Sequence, residues 1–173
     1  PETFLRRAQP TRLIKVVNSG VNSLTRFALE TKPQFSTAQL GELAAEAKRC
    51  GARVMVHANG EVPVRTAIEA GCDSIEHGFF MGRQNLELMA ERGVYWVPTI
   101  FTMKAVVLNA EYCRTPIDKK VAEQNLNHQL EQLALARELG VKVALGTDSG
   151  SIGVLHGESM VEEMKLFRHA GYS

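Results

Sequence analysis

A repeated pattern, in which a helix-like segment ends at a glycine and a short β-rich run follows, most constrains the fold of this chain. The pattern occurs four times, as AAEAKRCG before ARVMVH, RTAIEAG before CDSIEH, LELMAERG before VYWVPT and LALARELG before VKVALGTD. Gly51, Gly71, Gly93 and Gly140 stand where a helix ends in a left-handed residue, which glycine adopts without steric cost. Alternating helices and buried strands predict parallel β/α units.

The remaining segments extend this α/β pattern. RLIKVVNSG predicts a further strand, giving five, and Ser36 is predicted to cap the helix that follows it. The segment 101–120 is a long excursion that could form a lid, and a helix is predicted over 121–139. Two architectures fit five such units: an open doubly wound sheet, or part of a TIM-type (β/α)8 barrel.

Composition excludes several classes of protein. The chain has 173 residues, of which 45% are hydrophobic and 23% charged, with a net charge of +1, so it has an ordinary globular composition. It carries no basic stripe for nucleic acid and no apolar run long enough to cross a bilayer, so we expect neither partner. The cysteines at positions 50, 72 and 113 form no CxxC pair, which favours a reducing, cytoplasmic location.

Ionisable side chains follow four of the five predicted strands. In both candidate architectures, catalytic groups gather beyond the carboxyl ends of the strands. The run VKVAL is predicted to form a strand that is buried on both faces and ends close to the carboxylate of Asp148. The residues predicted at the five strand ends are Lys15, His57, His77, Pro98-Thr99 and Asp148.

Each of these residues also has a purely structural interpretation. His57 and His77 could be hydrogen-bonded core histidines, Asp148 could cap a helix or hold a turn, and Lys15 could extend to solvent. Together, two imidazoles, a carboxylate and an amine at one edge of a sheet favour a divalent metal such as zinc. We expect one or two ions in the complete protein.

The motifs IKVVNSG, VMVHANG, SIEHG and GTDSG, in this order and strand context, resemble those of the amidohydrolase superfamily, in particular its imidazolonepropionase-like and Xaa-Pro dipeptidase-like branch. The resemblance implies a TIM-type barrel of which this chain carries strands four to eight. Lys15 is then similar to a metal-bridging carboxylated lysine, and His57, His77 and Asp148 are similar to the other metal ligands.

The chain also departs from this family. The HxH motif of the first strand is absent, and a barrel of this type takes about 250 residues. We therefore expect residues 1–173 to be the C-terminal portion of one barrel domain, inactive alone, whose complete form is a homo-oligomer. Asn59 stands where many relatives carry a further histidine, and Asn59 and His156 are candidate substrate contacts.

The expected chemistry is hydrolysis of an amide C–N bond by a metal-activated hydroxide, since a divalent ion lowers the pKa of bound water from about 16 toward 7. Asp148 is the candidate for moving the proton to the departing nitrogen, and His77 is the second candidate catalytic residue. The substrate would be a small dipeptide-like molecule, an N-acyl amino acid or a cyclic amide. Two alternatives remain at this point: an open α/β phosphatase or phosphotransfer domain, and a non-catalytic barrel fragment.

Overall fold

A computed structural model describes residues 12–113 and 115–173 as a five-stranded parallel sheet with helices packed on one face. The strands are β1 (Leu13–Val17), β2 (Arg53–Ala58), β3 (Ser74–His77), β4 (Tyr95–Val97) and β5 (Lys142–Val143). The helices are α1 (Thr37–Arg49), α2 (Glu61–Glu69), α3 (Arg83–Arg92), α4 (Ile100–Leu108), α5 (Lys119–Glu138) and α6 (Glu158–His169), with a 3₁₀ turn at Ala110–Tyr112.

The helix boundaries follow local signals in the sequence. Ser36 begins α1 with a capping box, in which its hydroxyl accepts from the amide of Gln39 and the Gln39 side chain accepts from the amide of Ser36. The four repeat glycines all have the predicted left-handed conformation, with φ of +71°, +80°, +67° and +73°. The chain can therefore leave each helix and enter the next strand within a few residues.

The strands lie in the order in which they occur in the chain, β1 to β5, and every neighbouring pair is parallel. A doubly wound sheet reverses its strand order at a switch point, and this sheet does not. The architecture is therefore an arc of consecutive β/α units, as in a barrel. The register places His57 beside Glu76 and Ala58 beside His77.

The two faces of the sheet differ in their environment. One face packs against the helices, and its side chains, such as Val56, Ile75 and Trp96, are fully buried. The opposite, inner face leaves Val17 48% and Tyr95 46% exposed. No helix in the described part of the chain is long and apolar enough to cross a membrane.

Three predictions about local structure were wrong. The run VKVAL is not buried on both faces, because β5 spans two residues at an edge of the sheet and Leu145 is 42% exposed. The segment 101–120 does not begin as a lid, because α4 is a core helix with Ile100 and Met103 buried. Lys15 lies in the middle of β1, two residues before the strand ends.

Candidate metal centre

A cavity of about 370 Å³ opens at the carboxyl ends of the first strands and contains most of the predicted site residues. Lys15, His57, Asn59, His77 and Asp148 all line it. His156 does not: it is exposed in the loop before α6. A larger cavity, about 560 Å³, lies nearer the opposite end of the inner face and contains no histidine.

The strand register assigns His57 and His77 to opposite faces of the sheet, yet their rings lie in contact at the cavity. His57 pairs with Glu76, whereas His77 pairs with the buried Ala58, so regular alternation would turn His77 toward the helices. His77 instead has φ of +68°, in the left-handed region, and its ring centroid lies 4.6 Å from that of His57. A strained backbone conformation therefore brings the second imidazole into the cavity.

The hydrogen bonds of His57 determine which ring nitrogen is available. Its Nε2 lies 3.2 Å from the carbonyl oxygen of Gly20, which only accepts, and 3.4 Å from Nδ2 of Asn59, which only donates. The shorter contact, with Gly20, favours the tautomer that carries its proton on Nε2. The Nδ1 lone pair is then left for a ligand. Burial lowers the pKa of His57, with the hydrogen bond to Gly20 opposing this and the charge of Lys15 adding to it. His57 is accordingly neutral near pH 7, the form that binds metal.

His77 is held by its side chain and by its backbone. Its Nδ1 lies 2.7 Å from the hydroxyl oxygen of Thr99. Its carbonyl oxygen accepts hydrogen bonds from Trp96 Nε1 at 3.0 Å and from Gln129 Nε2 at 2.6 Å. Burial, followed by the neighbouring His57, lowers the pKa of His77 to about 4. His77 is therefore also neutral at physiological pH.

Lys15 and Asp148 supply the charges of the cavity. The charge of Lys15 lowers the pKa of both histidines and the charge of Asp148 raises it, so both charged groups lie within electrostatic range of both histidines. Asp148 is exposed and has φ of +51°. Thr99, which follows β4 and begins α4, has φ of +47°, so non-glycine residues in left-handed conformations occur at the end of β3 and in the segments after β4 and β5. Such strain concentrates at functional sites.

Asn59 lines the cavity, but its amide group is engaged by the backbone. Its Oδ1 accepts from the amide of Phe79 at 3.0 Å, and its Nδ2 donates to the carbonyl of Gly20 at 3.3 Å. Its backbone amide donates to the hydroxyl of Ser19. Asn59 therefore joins the loops that follow β1, β2 and β3.

Three polar residues near the site were not identified from the sequence, and a fourth, Thr99, was placed only after a strand and given no role. Glu76 is buried next to His57 on the inner face and its pKa is raised by burial, against a 2.6 Å hydrogen bond from Ser74. Glu163 is fully buried on α6, where it accepts from the first two amides of α4. Thr99 and Gln129 both hold His77. One signal was available: Gln129 continues the buried stripe of α5.

The rest of the cavity wall is apolar or uncharged. Phe79 and Met103 are buried in it, and Asn22 and Thr102 are its uncharged polar members apart from Asn59. Val17, Val21 and Leu24 complete the wall. Lys15 is the only lysine or arginine among the described lining residues, so the wall beyond the four ionisable groups carries no charge.

The donor chemistry of this cavity fits a borderline-soft divalent ion. Two neutral imidazoles and a carboxylate are donors that zinc accepts, and a lysine that carries a carbamate adds anionic oxygens. Among residues 12–113 and 115–173, no three His, Cys, Asp or Glu side chains form a group that could hold an ion by themselves. A complete ligand set therefore requires Lys15 or further donors.

Comparison with known proteins decides the family. The sequence profile of the Amidohydrolase family matches residues 3–172 of the 173 in the chain. The chain belongs to the amidohydrolase family. Family members are generally metal-dependent, and the chain's arc of β/α units is part of their TIM-type barrel.

Individual relatives agree with this assignment. The chain is 32% identical over 143 residues to ochratoxinase from Aspergillus niger, a match that covers 82% of this chain and 29% of that protein. A crystal structure of a Xaa-Pro dipeptidase with bound methionine in its active site superposes with a TM-score of 0.75 at 31% identity, covering 93% of this chain and 39% of the other. The ochratoxinase crystal structure gives a TM-score of 0.75 at 26% identity, covering 97% of this chain and 36% of the other. The chain thus spans well under half the length of these relatives.

Proposed function

We propose that the complete protein is a metal-dependent amidohydrolase that cleaves an amide C–N bond in a dipeptide-like or N-acyl amino acid substrate. The observation that carries this proposal is the pair of imidazoles of His57 and His77, whose ring centroids lie 4.6 Å apart in a cavity that Lys15 and Asp148 also line. A satisfied core histidine has no need of the left-handed backbone that turns His77 toward His57.

The ligands would come from three strands and the loop after β5. His57 presents Nδ1, and His77 presents Nε2 when its Nδ1 proton is donated to Thr99. Lys15 would join as a carbamate, because an ammonium group beside two ligands would repel a cation. Bound there, a divalent ion would supply an activated water and polarise the substrate carbonyl.

Asp148 would move the proton. Its carboxylate stands at the mouth of the cavity within electrostatic range of both histidines. It takes a proton from the attacking water and gives it to the leaving nitrogen, which would otherwise depart as an unstable amide anion. A positioned acid–base group of this kind contributes roughly 10²- to 10⁴-fold in rate.

The apolar wall favours substrates with an uncharged, apolar group next to the scissile bond. Burying a charged side chain against Leu24, Phe79 and Met103 would cost desolvation that no described arginine or further lysine of the wall offsets. The related Xaa-Pro dipeptidase, which has methionine bound in its active site, accommodates an apolar amino acid. We therefore propose amides of apolar amino acids as the substrate class.

Metal content tests the proposal directly. The complete protein should bind about one or two zinc ions, and replacing both His57 and His77 with glutamine should abolish that binding, as measured by elemental analysis after gel filtration. His169, an exposed histidine at the end of α6, provides the control, since His169→Gln should keep the metal. Stoichiometric zinc in the double variant would refute the site. Absence of metal from the wild-type protein would instead favour a non-catalytic barrel.

A further inference from the structure

His77 reaches the cavity only because its backbone is left-handed, and that conformation needs support. For a residue with a Cβ, the left-handed region is costly and persists only where surrounding contacts enforce it. Gly78, the next residue, is also left-handed, with φ of +62°. A Cβ at Gly78 would overlap Met81 Cε and lie 2.7 Å from Trp96 Nε1. Side chains on the helix-covered face of the sheet therefore pack closely against the turn formed by His77 and Gly78.

Gln129 of α5 is the helix-side group with the shortest hydrogen bond to the turn. Its Nε2 donates to the carbonyl oxygen of His77 at 2.6 Å and to that of Pro98 at 3.3 Å. Residue 77 ends β3 and residue 98 directly follows β4, so a single amide group joins the ends of two neighbouring strands. Gln129 is itself fully buried, and a buried amide is costly unless its hydrogen bonds are made.

Gln132, one turn further along α5, fixes the orientation of that amide. Gln132 Nε2 donates to Gln129 Oε1 at 2.8 Å and to the carbonyl of Gly78 at 3.3 Å, while Gln132 Oε1 accepts from the amide of Gly82. Since the oxygen of Gln129 is occupied by Gln132, its NH₂ group must face the strand ends. The two side chains form a buried, directional network between α5 and the turn after β3.

We propose that Gln129 is a positioning residue of the candidate metal centre, which holds the carbonyl of His77 and so keeps its imidazole turned toward His57. The proposal rests on the proposed function in one respect, the role of His77 as a ligand. Gln129 does not line the cavity, so its effect would pass through the backbone of His77. Partners that orient metal-binding histidines typically change metal affinity by about 10- to 100-fold when replaced.

Gln129→Met tests the proposal in the complete protein, because methionine keeps the approximate shape and removes the donor. The affinity for zinc, measured by competition with a chromophoric chelator, should fall by about 10-fold or more. The matched control is Leu133→Ala, which removes a fully buried apolar side chain one turn away on the same helix and leaves the hydrogen bonds of Gln129 and Trp96 to the His77 carbonyl in place. The control should lower the melting temperature and leave zinc affinity unchanged.

A second readout does not depend on metal. In the zinc-free protein, the ¹H–¹⁵N signals of the His77 ring, assigned by their loss in His77→Gln, should shift or broaden in Gln129→Met and stay in place in Leu133→Ala. If the wild-type protein binds no zinc, the proposed function fails, and these ring signals alone then decide whether Gln129 positions His77.

Two results would overturn the proposal. One is unchanged zinc affinity and unchanged ring signals in Gln129→Met. The other is an equal loss of affinity in Leu133→Ala, since that would make the effect one of general stability. If Gln129→Met does not fold, Gln132→Met tests the proposal instead, because it keeps the Gln129 donor but removes the hydrogen bond that orients it. A smaller loss of zinc affinity is then expected. Unchanged zinc affinity and unchanged His77 ring signals would refute the positioning role of Gln129.

Discussion

Asp148 separates two roles that one residue type can play, turn former and proton carrier. Its φ of +51° is a conformation that asparagine also adopts readily, so Asp148→Asn keeps the backbone and loses only the basic oxygen. In the complete protein we expect kcat to fall by at least about 10²-fold with little change in substrate binding. Steady-state kinetics together with zinc content check this. Near-normal turnover with metal retained would reduce Asp148 to a turn residue.

Lys15 offers a second residue-level test. It lies on the exposed inner face of the sheet in mid-β1, within electrostatic range of His57 and His77. If it acts as a carbamate, Lys15→Ala in the complete protein should lose activity and regain part of it when a short carboxylic acid such as acetate supplies the missing oxygens. Lys142→Ala, which removes the inner-face lysine above the ring of Tyr95, is the control and should not respond to acetate. Failure of the acid to restore activity, with metal content unchanged, would make Lys15 structural.

At the scale of elements, α6 is tied to α4 through a buried carboxylate. Glu163 accepts from the amides of Ile100 at 2.9 Å and Phe101 at 2.6 Å, and thereby caps α4 immediately after Thr99, the partner of His77. Burial raises the pKa of Glu163 to about 7, although the two backbone hydrogen bonds oppose this. Deprotonation of Glu163 therefore destabilises the folded state relative to the unfolded state.

The pH dependence of stability should reveal this helix contact. Because the folded pKa is raised above its ordinary value of 4.5, the contribution of Glu163 is full below about pH 4.5 and is lost as the pH rises through about 7. Between pH 5 and pH 8, the free energy of unfolding of wild type should therefore fall by roughly 2.5 kcal/mol relative to that of Glu163→Gln. Denaturant unfolding at both pH values measures the difference.

Glu162, the adjacent residue, is the control for this experiment. Its carboxylate pairs with Lys165 and Lys104, and those hydrogen bonds lower its pKa. Its contribution is therefore present at neutral pH and lost on acidification, so Glu162→Gln should change the pH dependence in the opposite sense. A parallel response of the two variants would contradict the assignment to Glu163.

The same scale shows what the sequence could predict. Five strands, the N-cap at Ser36 and the left-handed glycines after the helices are determined by neighbours within a few residues, and all are confirmed. Local patterns also placed His57 and His77 at neighbouring strand ends, because parallel strands end at a common edge. The left-handed turn that directs His77 into the cavity depends on longer-range contacts.

Residues whose role depends on distant partners were not predictable. Gln129 contacts a strand end 52 residues away, and Glu163 caps a helix 63 residues away, so periodicity within a window carries no trace of either contact. The run VKVAL was misjudged for a similar reason. An apolar run predicts burial, but whether both faces are covered depends on which neighbours complete the sheet.

At the scale of the whole molecule, the arc of β/α units leaves apolar surface open beside β5. Strand order places β5 at one side of the sheet, and no strand in the described part of the chain pairs with its outer edge. A groove of about 320 Å³ runs along this edge between β5 and α6. Leu145 and Met164, which line it, are 42% and 49% exposed. Open strand edges beside apolar side chains are sites of intermolecular pairing.

We therefore expect the 173-residue chain, expressed by itself, to self-associate through this edge and to hydrolyse no amide. Its mass, measured by light scattering on a size-exclusion column, should rise with concentration. The double variant Leu145→Lys, Met164→Lys should shift the distribution toward monomer, because two lysines buried in the contact would oppose it. Val62→Lys is the matched control. Val62 is an apolar residue on α2 that is 59% exposed and far from β5 in the strand order, so charging it should leave association unchanged. A concentration-independent monomer, or equal responses to the lysines at both places, would mean that the β5 edge is not the associating surface.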